Sequence, residues 1–118
     1  MNAARRGDEI YDTRTPIEGA RVFPFPQRTQ TIDAGGRVFH LTRPVLVLAR
    51  RHAGGWTHEM SELGILGFGL TEDESAGAMR DEFAAVWDGI VALPEEALTA
   101  DARRLKSIVV ALVDHVEG

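Results

Sequence analysis

Residues 53–76 read AGGWTHEMSELGILGFGLTEDESA, and this stretch decides the fold. Ala53-Gly54-Gly55 supplies the permissive backbone that a tight hairpin turn requires. Trp56-Thr57-His58-Glu59-Met60 then alternates, with Trp56, His58 and Met60 on one face of a strand and Thr57 and Glu59 on the other. Ser61-Glu62 turns the chain again, and Leu63 to Gly69 reads as a third strand. Gly64, Gly67 and Gly69 within it predict a helix or another backbone packed closely over the sheet. Thr71-Glu72-Asp73-Glu74 marks an abrupt change to helix. Thr71 is the N-cap, Glu74 reaches back to its amide in a capping box, and the acids suit the positive end of the helix dipole.

Upstream, Ala34-Gly35-Gly36 is a turn, and Arg37-Val38-Phe39-His40-Leu41 alternates as a half-buried strand should. Pro44 is expected to break that segment, after which Val45-Leu46-Val47-Leu48-Ala49 forms a continuous apolar strand. Downstream, Ala76, Met79, Phe83, Val86, Trp87 and Ile90 make one helical stripe that Pro94 ends. Thr99 is a second N-cap, and Ala102, Leu105, Ile108, Val109, Leu112, Val113 and Val116 predict a helix over Thr99–Val116. The fold class expected is α+β, a two-layer sandwich in which an antiparallel meander of three or four strands is packed by two helices. Residues 1–30, with Pro16, Pro24 and Pro26, read as an N-terminal arm, extended or partly disordered, with an edge strand near Val22–Phe25. Residues 31–118 read as the domain proper, β-β-β-α with an additional C-terminal helix.

The chain has 118 residues, 44% hydrophobic and 26% charged, the proportions of one folded domain. It has no cysteine, which excludes disulfides, zinc–thiolate sites, iron–sulfur clusters and a thiol nucleophile together. The N-terminal residues MNAARRGDEIYD carry acids where a signal peptide needs an apolar stretch, and no apolar run approaches membrane-span length. A cytoplasmic protein with no membrane partner is expected. The net charge of −5 hides an asymmetry. Residues 1–59 hold nine Arg against six acids, a net of +3, and residues 60–118 hold four basic residues against twelve acids, a net of −8. The acidic half repels phosphate backbones and attracts basic proteins.

The candidates for chemistry are few. His58-Glu59 lacks the second histidine of a zincin motif, because position 62 is Glu62. His40 and His58, meeting across neighbouring strands with Glu59 or Glu62, would make a small metal-dependent enzyme, but Glu59 faces away from His58. The glycine sets match neither phosphate-binding fingerprint, and Asp81 and Glu82 are adjacent on a helix and point to different sides. Ser61 and Ser75 lack the context of a nucleophile elbow. No catalytic residue, cofactor or metal is therefore expected. Arg37, Arg43, Arg50, Arg51 and His52 with Trp56 could line a basic sheet edge, but charges at strand ends commonly protect an edge from aggregation. No helix-turn-helix pattern is present, so nucleic acid is not the expected partner.

The order of these pieces resembles the HicB-like antitoxin domain. Gly54-Gly55-Trp56, Glu62-Leu63-Gly64, Gly67-Phe68-Gly69-Leu70-Thr71 and Glu74-Ser75-Ala76 carry the resemblance, over Val45 to about Ile90. It implies a truncated ribonuclease-H-like fold without nuclease activity, which binds a small basic ribonuclease toxin and blocks it. Two features depart from the family. The usual strand after the first helix is missing, with helix expected over Thr99–Val116 instead, and no DNA-binding tail follows.

The expected function is thus a non-enzymatic binding module, antitoxin-like, neutralising a basic protein by occlusion. Glu72, Asp73, Asp81, Glu82 and Asp88 would supply charge complementarity, with Phe23 and Phe25 of the arm as anchors. The alternative is an oligomeric scaffold or accessory subunit, a homodimer or higher oligomer. Its interface would be the wide apolar face of the C-terminal helix, with Ile108, Val109, Leu112, Val113 and Val116.

Overall fold

A computed structural model describes Arg21, Val22 and residues 27–118 of the chain. Strand β1 (Arg21–Val22) and β2 (Gln27–Ala34) precede a two-glycine turn, where Gly35 and Gly36 take φ of 61° and 77°. The long β3 (Arg37–His52) follows, then β4 (Gly55–Met60), β5 (Ile65–Gly69), helix α1 (Glu72–Val86), helix α2 (Ala100–Leu112) and β6 (Val113–Glu117). Phe23 and Phe25 lie outside the described residues. β2 begins at Gln27, so the hairpin it forms with β3 starts inside the segment expected to be an arm.

β3 is the spine of an antiparallel sheet. One of its edges carries β2 and then β1, and the other carries β6 and then β4, with β5 outermost beyond β4. Pro44 does not break this strand. It falls between His40, which pairs with Thr31, and Val45, which pairs with Thr29, where the ladder to β2 shifts register. A residue without an N–H is tolerated there because no cross-strand acceptor is waiting for it.

Four alternating residues of β3, on either side of Arg43 and Pro44, point to the core. Phe39, Leu41, Val45 and Val47 are buried with Ile32 and Ala34 of β2, Met60 of β4 and Ile65 of β5. Both helices lie on this face, contributing Met79, Phe83 and Ala84 from α1 and Val109 and Leu112 from α2. Phe39 sits at the centre, its ring edge-on to Phe83 at 5.1 Å and to Trp87 at 5.7 Å. The α+β architecture with two helices on one side of an antiparallel sheet is as expected from the periodicity. Helix α1 runs on through a wider π-helical turn, Trp87–Val91, before Pro94 opens a short 3-10 turn, Glu95–Ala97.

Caps define both helix starts. Thr71 Oγ1 accepts from Glu74 N at 3.1 Å, and Thr99 Oγ1 accepts from Ala102 N at 3.2 Å. The reciprocal bond of the first cap goes one residue further back than expected, since Glu74 Oε1 accepts from Leu70 N at 2.9 Å.

The C-terminus corrects the sequence reading. The helix expected over Thr99–Val116 stops at Leu112, and Val113 enters an extended conformation (φ −87°, ψ 119°) as the first residue of a strand. That strand pairs with Val38–Leu41, the stretch of β3 that β4 does not reach. β-Branched Val113 and Val116 suit either state locally, and the open ladder on β3 decides between them.

Candidate functional site

The acids singled out from the sequence divide into two groups. Glu72, Asp73, Asp81 and Glu82 are exposed on α1, with Asp81 and Glu82 turned to different sides of the helix. Asp88 is engaged, because Arg37 Nη1 and Nη2 donate to its two carboxylate oxygens at 2.9 Å each. That pairing holds the Asp88 carboxyl below the usual aspartate range and takes it out of any free acidic surface. The basic edge is likewise occupied. Arg43 donates to both oxygens of Glu62, and Arg50 donates to Glu59 at 2.9 Å.

The residues proposed for an oligomer interface are mostly internal. Val109, Leu112 and Val113 are buried in the chain's own core and Ile108 packs against it, whereas Val116 is exposed on β6. The apolar face of α2 formed by Ile108, Val109 and Leu112 is thus packed within the domain.

His40 and His58 do not meet. His58 lies on the helix face of β4, opposite Gly67, while His40 lies on the other face of the sheet, where its register partner is His115. His58 is buried against Ser75, with Nδ1 and Oγ 2.6 Å apart. The Ser75 hydroxyl donates its one hydrogen to Glu72 O at 3.0 Å, so His58 Nδ1 carries the proton of this pair and Ser75 Oγ accepts it. A serine with no exposed surface, its proton committed to a helix carbonyl, is a packing device joining α1 to the sheet. Burial, reinforced by the charge of Arg80 and opposed by that of Asp73, lowers the His58 pKa. The folded state therefore resists protonation more than the unfolded state does. Stability from this group is complete above about pH 6.5 and declines as the pH falls from there through the folded pKa. Urea unfolding at pH 7.5 and pH 5.5 should show the lower midpoint at pH 5.5, with the decrement reduced in His58→Gln; an equal decrement in both proteins would disprove the assignment.

Close approach of α1 to β5 shapes the remaining surface. Gly67 and Gly69 face the helix, and a Cβ built on Gly67 would fall 2.5 Å from Ser75 O and closer still to Met79 N. The alternation of β5 then directs Leu66 and Phe68 to the opposite face, where they are 53% and 60% exposed, and Leu70 beyond them is 72% exposed. Leu46 of β3 is also exposed on that uncovered face. Among the described residues β5 pairs only with β4, which leaves its outer edge open. The apolar strip lies on one face of this strand, and α1, with its exposed acids, packs on the other. The sequence carried a signal for this strip. Glycines alternating with large apolar residues in Ile65-Leu66-Gly67-Phe68-Gly69 imply that if the glycines face a helix, the large residues cannot.

No family model, curated protein or solved structure matches this chain. No helix among the described residues is long and apolar enough to cross a membrane.

Proposed function

We propose that this protein is a non-enzymatic protein-binding module, similar in role to HicB-like antitoxins, that occludes a small basic protein partner. The observation that carries the reading is the open edge of β5, with exposed Leu66 and Phe68 on one sheet face and α1, which exposes Glu72, Asp73, Asp81 and Glu82, packed on the other. An unpaired strand edge accepts an added strand through main-chain hydrogen bonds, with side chains on either side setting specificity. An apolar patch of this kind on a small domain marks an interaction surface. The acids beside it favour a partner with basic residues around an apolar centre, and they speed encounter at low salt.

The strand that the resemblance calls for after the first helix has no counterpart there: α1 is followed by helical turns and α2, and β6 comes only after α2.

The test uses the product of a short basic reading frame beside this gene, purified and titrated with this protein. Binding should be tight at low salt and weaken as salt rises. The combined change Glu72→Gln, Asp73→Asn, Asp81→Asn and Glu82→Gln should slow association by about tenfold, and Phe68→Ser should accelerate dissociation. The reading fails if the companion protein does not bind, or if both variants bind it as well as the native chain does.

A further inference from the structure

We propose that His40, His115 and Glu117 form a binding site for a divalent transition-metal ion of the zinc type, on the sheet face opposite the helices. His40 on β3 and His115 on β6 are cross-strand partners, so the backbone holds their side chains side by side. Glu117 lies two residues beyond His115 and shares its face. One ligand atom from each of the three side chains can be chosen so that all lie within 4.8 Å of one another. His40 Nε2 and Glu117 Oε1 are already in contact at 2.7 Å, and that pairing draws the Glu117 carboxyl below its ordinary range.

A second feature points to a metal rather than to a chance cluster. His115 Nδ1 is bonded to Asp114 Oδ2 at 2.8 Å. A carboxylate on one ring nitrogen fixes the tautomer and leaves the lone pair on the other, the arrangement that supports histidine ligands in metal sites. With Nδ1 so held, His115 offers Nε2, as His40 does. Two imidazole nitrogens and one carboxylate oxygen match zinc, nickel or copper; calcium and magnesium prefer all-oxygen sites.

The two rings stack at 4.2 Å with 8° between their planes. Ligation of one ion by both requires each ring to turn about its side-chain bonds. Their solvent exposure permits that, with 31% of the His40 side chain and 52% of the His115 side chain accessible. Zinc would replace the proton shared between His40 and Glu117, and its fourth position would face water. Such an ion would tie the C-terminal strand to the centre of β3 and stabilise its pairing, because it binds the folded arrangement only. This inference is independent of the binding-module reading, since the β5 edge belongs to another part of the sheet.

The experiment titrates the untagged, full-length protein with zinc chloride by calorimetry and follows thermal unfolding with and without zinc. Magnesium and calcium chloride serve as controls. Saturable binding of a single ion per chain is expected, with a raised melting temperature in zinc and none in the controls. His40→Ala and His115→Ala should each abolish saturation, Glu117→Gln should weaken it, and Asp114→Asn should lower affinity by about 10- to 100-fold. All four side chains are at the surface, so the variants should melt like the native chain without zinc. No saturable zinc binding by the native chain, or binding that survives in the His40→Ala/His115→Ala double variant, would overturn the proposal.

Discussion

Gly67→Ala should destabilise the protein by about 3 kcal/mol, the upper range for overpacking, which lowers the melting temperature by roughly 10–15 °C in a domain of this size. Gly67 does not occupy the left-handed region, so an alanine there meets no backbone strain. Restriction of the unfolded chain alone would make the substitution stabilising by about 0.4–1 kcal/mol. The added methyl, however, falls on main-chain atoms of α1 at Ser75, Ala78 and Met79. Main-chain atoms of a helix cannot rotate aside as a flexible side chain can, so the whole helix must lift from the sheet. Gly89→Ala is the control. It lies in the helical turn after α1 with nothing within 4 Å of its added methyl, and should be neutral or slightly stabilising. Thermal melts of the two variants decide the matter. If they change stability alike, α1 does not rest on β5 at Gly67.

Phe39→Ala should cost about 3–5 kcal/mol, a large part of the 5–15 kcal/mol that holds a typical domain together. Phe39 has no exposed surface and joins three parts of the fold. It lies on β3 between β2 and β6, with Phe83 of α1 and Trp87 of the following turn edge-on to its ring. Truncation removes both aromatic contacts and leaves a cavity that neighbours on three elements cannot all collapse into. Phe68→Ala removes an identical side chain from a strand two places across the sheet, where it is 60% exposed. It should change stability by no more than about 0.5 kcal/mol. Chemical denaturation of both gives the comparison. A Phe39→Ala protein as stable as Phe68→Ala would show that the core is not centred where the structure puts it.

These two phenylalanines also show how far the sequence can be read. Both stand in alternating strands, and alternation assigns each to a face without saying which face the helices cover. For Phe39 the assignment followed from its apolar neighbours Leu41 and Val45. For Phe68 it followed only from Gly67 and Gly69, once those glycines are understood as a seat for α1. The exposed strip at Leu66 and Phe68 was therefore legible in principle, but only as the complement of a close helix–sheet contact. The acids of α1 were legible individually, but the engagement of Asp88 by Arg37 was not, since 51 residues separate them in the chain. The cluster at His40, His115 and Glu117 was hidden for the same reason.

By itself the sequence determined the run from Val45 to Val86, strand, hairpin, strand, turn, strand and capped helix, though not that the first of these strands continues through Pro44. Each of these elements rests on signals within a few residues of itself: the period of its apolar side chains, the glycines of its turns, and the hydroxyl of Thr71 at the helix start. Tertiary structure alone decided the end of the chain. Val109, Leu112, Val113 and Val116 keep a spacing that a helix would use, and the local preference of valine does not settle the choice. The vacant ladder along Val38–Leu41 does, because pairing with it satisfies backbone hydrogen bonds that a longer helix would leave open.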